Sequence, residues 1–299
     1  MDLIFLGTAP FAVPSLRALH AAGHRISLVV TQPDRPGHRR RLTPPAVKLA
    51  AQELGLPVAQ PERVRDEDTV EALARLQPEL GVVVAYGQII PRSVLDTPRR
   101  GIVNVHASLL PRWRGAAPVP HAILAGDRVT GVSIMQMDEE LDHGPVLAQR
   151  ETPIGERETA AELAGRLAEL GASLLVETLA RLDDIRPREQ DHAAATWAGK
   201  LQKADGDLDW DLPAVELDRR VRAFDPWPGV TLPYAGRRVK VLRGHVGEGG
   251  TGAPGTLLQV GSRGVEVATS GGSYVLEEVQ VPGGRPGPAR SLLHEVGAG

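Results

Sequence analysis

The chain is 299 residues long, enough for two domains of ordinary size or one large one. With 42% apolar and 24% charged residues it is not a mainly disordered chain. The absence of cysteine excludes disulfides, thiolate metal sites, iron–sulfur clusters and thiol nucleophiles, and a net charge of −3 speaks against a general nucleic-acid binder.

Any polyanion therefore has to meet a local patch. Four Trp, three Tyr and three Phe are too few for a base-stacking platform. The start MDLIFLG has an acid at position 2 and a very short apolar run, so no signal peptide is expected. The longest uncharged apolar stretch, Leu80 to Pro91, is short of the roughly 20 residues of a spanning helix. The expectation is a soluble, cytoplasmic monomer with no membrane or protein partner.

In chain order, a strand is predicted for Asp2 to Gly7, a helix for Pro10 to Ala22 and a strand for Arg25 to Thr31. A proline-rich basic loop, Gln32 to Pro45, comes next. Helices follow at about 45–54 and 66–76, then strands at Leu80 to Ala85 and Gly101 to His106. The last two are β-branched and apolar on both faces. Buried strands separated by helices predict an α/β domain with an open, doubly wound, mostly parallel sheet. Val129 to Met137 and Val146 to Gln149 are further strands, and Glu158 to Leu182 is a long amphipathic helix. The polar stretch 183–203 reads as a connector. After a helix from Leu212 to Phe224, five short strands (230–234, 237–242, 255–260, 264–269, 273–281) between Gly- and Pro-rich turns predict a small β-barrel. The expected division is 1–189, a linker at 190–203, and 204–299.

Ligands of an open parallel sheet bind beyond the carboxyl ends of its strands. The turn Gly7-Thr8-Ala9-Pro10 lacks the GxGxxG fingerprint of dinucleotide binding. Asn104 and His106, two apart at a strand end, point to one side and combine an amide donor with a group that moves protons near neutral pH. That pair suits an oxyanion formed in acyl transfer. Capping the sheet and bonding to loop backbone explains it as well. Asp138 to Pro145 reads by default as an exposed hairpin loop, although a carboxylate beside His106 would orient the ring and raise its pKa. His38, His121, His143 and His192 have no metal-ligand spacing, and no metal is indicated. Arg35 with His38, Arg39, Arg40 and Arg41 is the densest positive cluster, either a solvated loop or a contact for an anionic substrate. From residue 200 onward twelve Lys and Arg stand against twelve Asp and Glu.

Several segments resemble the folate-dependent formyltransferase family, in particular its members that act on tRNA, over essentially the whole chain. They are FLGTAPFA (5–12), TQPDRP (31–36), VVVAYGQIIP (82–91), IVNVHASLLPRWRGAAP (102–118), GVSIMQMDEELDHG (131–144) and RAFDPWP (222–228). The resemblance implies a Rossmann-like formyltransferase domain followed by an oligonucleotide-binding-fold-like (OB-like) domain. It makes Asn104, His106 and Asp142 the catalytic trio and Ser108, Leu109, Leu110 and Pro111 the segment that holds the folate, with Tyr86 and Gly87 near the pterin. It gives Arg35, His38, Arg39, Arg40 and Arg41 to tRNA. It implies transfer of a formyl group from 10-formyltetrahydrofolate, without a metal, to the amine of methionyl initiator tRNA. The chain departs from the family in reading GTAPFA for the usual GTPxFA, in a shorter basic loop, and in Asp142-His-Gly-Pro145 where tRNA-acting members often have DTGD. Competing readings are a formyltransferase for an amino-sugar nucleotide or another small amine, a hydrolase releasing formate, and a non-catalytic RNA-binding module.

Overall fold

Strands buried on both faces form the centre of the fold in the computed structural model, which describes residues 1–36, 42–234, 236–291 and 293. Strands β1 (Asp2–Gly7), β2 (Arg25–Val30), β3 (Val58–Ala59), β4 (Leu80–Val84) and β5 (Ile102–His106) run parallel. The connections between them carry helices α1 (Val13–Ala21), α2 (Ala46–Glu53) and α3 (Glu67–Arg75). Every residue of β4 and β5 is buried, as in a sheet covered on both faces.

The chain continues through β6 (Arg114–Gly115), α4 (Pro118–Ala125), β7 (Val129–Gln136), β8 (Val146–Pro153), α5 (Ala160–Ala180) and β9 (Trp197–Ala198). Spatial order in the main sheet is β8-β7-β5-β4-β1-β2-β3, with β7 antiparallel to both neighbours. The sheet is thus mostly parallel with an antiparallel edge. The chain winds outward from β1 in both directions, so the topological switch lies between β1 and β4. Helix α4, absent from the sequence-based expectation, tolerates Pro118 and Pro120 because both lie in its first turn.

Two compact units result. One comprises Met1–Pro118, Val129–Pro153 and Ala164–Ala198; the other comprises Val119–Arg128, Ile154–Leu163 and the chain from Gly199 onward. The stretch expected as a linker is not bare chain: up to Ala198 it belongs to the first unit, where β9 pairs with β6.

In the second unit α6 (Ala214–Ala223) packs on an antiparallel sheet. Its strands are β10 (Val230–Tyr234), β11 (Arg237–Val246), β12 (Leu257–Val260), β13 (Val265–Ala268) and β14 (Ser273–Gln280). The order is β10-β11-β14-β13-β12, and a short β15 (Gly287–Pro288) also pairs with β14. Alternation in β10 buries Val230, Leu232 and Tyr234. Among the described residues no ladder joins β10 to β12, so the five-stranded sheet is open along that side. No described helix is long and apolar enough to cross a membrane.

Close backbone approach gives a test of the edge pairing. A Cβ on Gly131 in β7 would run into the Arg150 carbonyl oxygen of β8 and the Leu109 side chain. Gly131→Ala is expected to cost about 1–3 kcal/mol, as overpacking does in tight sites, read as a lower urea midpoint.

Candidate active site

Period-two geometry sets the site up. Asn104 and His106 leave β5 on the same side, at 9% and 6% exposure, and β7 lies alongside with Met135 and Ser133 opposite them. Because β7 is antiparallel to β5, its last residue Gln136 stands opposite Val103, and Met137 N–H bonds to the Ile102 carbonyl. The loop 137–145 then advances along β5 until Asp142 reaches both side chains. Asp142 Oδ1 lies 3.5 Å from Asn104 Nδ2 and 3.6 Å from His106 Nδ1. The spacing within β5 predicted the Asn–His pair, and the resemblance supplied Asp142; the structure brings all three together.

Backbone groups complete the arrangement. Gly115 N–H donates to Asp142 Oδ2 at 2.8 Å. Gly115 sits at φ +112, and a Cβ there would lie 2.7 Å from the Ala198 carbonyl oxygen, so glycine is required by both conformation and space. His106 Nε2 lies 2.8 Å from the carbonyl oxygen of Trp113. A carbonyl only accepts, so this nitrogen carries a proton and donates to it. The Nδ1 side faces the carboxylate. An imidazole held on both sides is fixed in orientation, but its donor is engaged with Trp113 rather than open to a substrate oxygen. Asn104, whose one contact to Asp142 is at the limit of a hydrogen bond, keeps donor capacity.

The segment Ser108–Pro111 is held by its main chain. Ser133 Oγ accepts from Leu110 N–H at 3.0 Å and donates to the Ser108 carbonyl at 2.7 Å, while Gln149 Nε2 donates to the Leu110 carbonyl at 2.9 Å. Ser108 and Leu110 are buried, so Leu109 and Pro111 are the half-exposed members of this segment. Tyr86 is 1% exposed and its ring lies in the apolar core with Ile4, Leu6 and Val83. It therefore presents no side chain to a ligand, whereas Gly87 beside it is exposed at φ +85. Burial pushes the Tyr86 phenol up to about 12.

Gly87 and Arg35 line one cleft of about 420 Å³ with Gln32, Arg63, Arg65 and Ile89. Arg35–Pro36 pairs with Leu42–Thr43, and Asp34 is anchored next to it by Lys48 Nζ and Gln60 Nε2, each at 2.8 Å, which together hold its carboxyl below the ordinary range. His38, Arg39, Arg40 and Arg41 lie outside the described residues. Among the described residues no group of three His, Asp or Glu is placed to hold a metal.

The sequence reading missed Arg114 and Gln190. Arg114 is 3% exposed, and its Nε and Nη2 donate to Gln190 Oε1 at 3.1 and 2.8 Å. Its Nη2 also lies 2.9 Å from His192 Nδ1. His192 stacks on His143 with ring centroids 4.0 Å apart, so the departure at position 143 lands on this network. An arginine in RWRG with an apolar surround was the available signal; Gln190 had none.

A family model described as "Formyl transferase" matches residues 1–179, and one described as "Formyl transferase, C-terminal domain" matches residues 200–296. A protein of Chloroflexus aurantiacus named methionyl-tRNA formyltransferase is 48% identical over 303 residues, covering 100% of this chain and 98% of its own. One of that name from Halorhodospira halophila is 51% identical over 296 residues, covering 98% and 95%. Among solved structures, HypX from Aquifex aeolicus in complex with tetrahydrofolic acid matches at TM-score 0.65 and 21% identity, over 98% of this chain and 47% of that one. An N-formyltransferase from Helicobacter canadensis, in complex with folinic acid and dTDP-3-aminofucose, matches at TM-score 0.69 and 15% identity, over 94% and 99%. These two structures share the fold.

The buried Tyr86 hydroxyl has no hydrogen-bond partner among the described residues. Tyr86→Phe is expected to leave stability unchanged or raise it by about 1 kcal/mol, because the lost hydroxyl was desolvated without compensation. Thermal unfolding of the variant checks this.

Proposed function

We propose, from the premise that the chain belongs to the formyl transferase family, that it transfers the formyl group of 10-formyltetrahydrofolate to the α-amino group of methionyl initiator tRNA. The observation that carries the chemistry is the meeting of Asn104, His106 and Asp142 at the end of β5. Full-length relatives named methionyl-tRNA formyltransferase support the acceptor. The reading as an amino-sugar nucleotide enzyme is supported only by structures at 15–21% identity, which bear on the fold. An intact, shielded trio disfavours a non-catalytic RNA-binding module.

Each residue has a task. Asn104 Nδ2 donates to the formyl oxygen as negative charge builds there, a contribution of about 3–4 kcal/mol for a well-placed donor. His106 exchanges its bond to the Trp113 carbonyl for one to that oxygen. Asp142, its second oxygen tied to Gly115 N–H, keeps His106 oriented and compensates its positive charge. A water at the Asp142 carboxylate would take the proton lost by the amine and pass one to N10 of the donor as the carbon–N10 bond breaks, so that tetrahydrofolate leaves. The exposed Gly87, with Leu109 and Pro111, fits an extended ligand laid along the rim. The fold neighbour HypX, solved in complex with tetrahydrofolic acid, supports a folate as the donor.

For the tRNA, we assign catalysis to residues 1–189 and an RNA-contacting role to residues 204–299, joined by 190–203. In the second unit β11 carries Arg237, Arg238, Lys240 and Arg243, and a cleft of about 800 Å³ is lined by Lys203, Arg238 and Lys240. Cations on one strand suit phosphates. The loop that includes Arg35, His38, Arg39, Arg40 and Arg41 would meet the acceptor end, where shape and backbone dominate recognition. Such a substrate places the protein in the cytoplasm.

Purified protein given 10-formyltetrahydrofolate and methionyl initiator tRNA should make formyl-methionyl-tRNA and leave an amino-sugar nucleotide unmodified; the reverse outcome discards the tRNA reading. Asn104→Ala, His106→Ala and Asp142→Ala should each fold but lose nearly all transfer. A variant that keeps more than about a tenth of wild-type turnover, a barrier change of only ~1.4 kcal/mol, leaves the trio. Affinity for tRNA should fall ~100-fold between about 50 and 200 mM salt if about four phosphates are neutralised, and a flat response in a filter-binding titration removes the basic surfaces from the model.

A further inference from the structure

The geometry points to Gln190, oriented by the buried Arg114, as a positioning residue that holds Asp142 against Asn104 and His106. This rests on the reading of Asp142 as part of the catalytic trio.

Asp142 needs holding. Its φ of +51 is in the left-handed region, which a residue with a Cβ occupies at a cost in strain unless its surroundings fix it. Two carbonyls of its loop, those of Asp142 and Gly144, face Gln190. Gln190 Nε2 meets both, donating to the Asp142 carbonyl at 3.0 Å and to the Gly144 carbonyl at 2.7 Å. An amide nitrogen has two hydrogens, so both are used.

The orientation of that amide is not free. Its Oε1 accepts from Arg114 Nε and Nη2, and a guanidinium can only donate. Turning the amide over would press its NH2 on the guanidinium and its oxygen on two carbonyls. Arg114 thereby dictates which face Gln190 shows to the loop. Arg114 is in turn fixed on both sides. Its Nη2 meets His192 Nδ1, which must accept and so leaves the ring proton on Nε2. Its backbone N–H bonds to the Thr196 carbonyl at 2.9 Å. The next residue, Gly115, supplies the N–H that holds Asp142 Oδ2. Arg114 and Gly115 therefore grip Asp142 together, one through Gln190 to its main chain and the other directly to its carboxylate.

Gln190 is 6% exposed and, among the described residues, reaches the site through Asp142 and Gly144, so it acts on turnover rather than on substrate capture. Gln190→Leu removes both donors. Gln190→Glu keeps the shape and the partner Arg114 but turns an oxygen toward the two carbonyls. Each should lower kcat about 30-fold while KM for the folate donor and for tRNA stays within about threefold, since a carboxylate displaced by a fraction of an ångström costs rate rather than binding. Gln190→Leu combined with Asp142→Asn should be no more than about threefold slower than Asp142→Asn alone, because both act through one group. If Asp142→Asn is slow while Gln190→Leu turns over within about threefold of wild type, the positioning role is overturned and the trio stands. A fully multiplicative loss in the double variant overturns it too. If Asp142→Asn itself keeps wild-type turnover, the trio and the positioning role fall together. Should Gln190→Leu not fold, the kcat and KM of Gln190→Glu decide by the same criteria.

Discussion

One carboxylate ties the polar groups at the end of β5 together. Asp142 Oδ1 faces the two polar side chains at the end of β5, and Oδ2 accepts the Gly115 N–H. The second contact exists only because Gly115 can come close to Ala198 with a positive φ, which the two-residue parallel ladder between β6 and β9 imposes. A segment far along the chain is thus needed for an N–H at the correct place. The carboxylate converts this remote pairing into the orientation of His106, whose other nitrogen is fixed by Trp113 in the same β6 approach.

The two loops that flank the site are held by the same device. Gln149 Nε2 binds the Leu110 carbonyl and Ser133 Oγ while its Oε1 accepts from Arg188 Nη2 at 2.5 Å; Gln190 does the equivalent for the Asp142 loop with Arg114. A donor-only arginine on the oxygen side leaves the amide one orientation, and the amide then serves as a fixed pair of donors, for two carbonyls at Gln190 and for a carbonyl and a hydroxyl at Gln149. The pairs differ in setting. Arg188 is exposed and its loop carries the proposed folate segment, whereas Arg114 is buried under the loop that carries the acid. Fixed donors and acceptors of this kind are what electrostatic stabilisation requires, since nothing has to reorganise when charge appears on the substrate.

The sequence made legible what depends on side-chain pattern. Strands β4 and β5 are visible because both of their faces are apolar, and Asn104 and His106 stand out as polar residues two apart at the end of one such run. β8 was seen only to Gln149, because an edge strand with half-exposed Arg150 and Thr152 has no apolar continuation to Pro153. β3 is two residues long, and α4 hides behind two prolines. In the site, the Trp113 carbonyl and the Gly115 N–H carry no residue identity, so no motif reports them. Gln190 lies in a polar stretch whose composition matches a connector, and only its burial distinguishes it. For Tyr86, which the resemblance puts near the pterin, no side-chain pattern foretells that the φ of +44 at Ala85 precedes a ring turned into the core.

Net charge was a poor guide to the partner for a physical reason. In the second unit several acids are already engaged within it: Asp207 with Arg238, Glu216 with Arg220 and Asp218 with Arg222. Such pairs cancel in the sum and also cancel locally, so they contribute little field at a distance comparable with the Debye length. What a polyanion meets is the remainder. Among the described residues neither Lys240 nor Arg243 is in an ion pair, and both lie on β11, where alternation puts Lys240 on the side away from the buried Val239 and Val241, while Arg243 is exposed beyond a register shift that follows Val241. The stretch from residue 200 onward, with as many acids as bases, can therefore present unpaired cations on one strand, because ion pairing elsewhere, as in the two i, i+4 pairs on α6, takes charges of both signs out of the exposed sum.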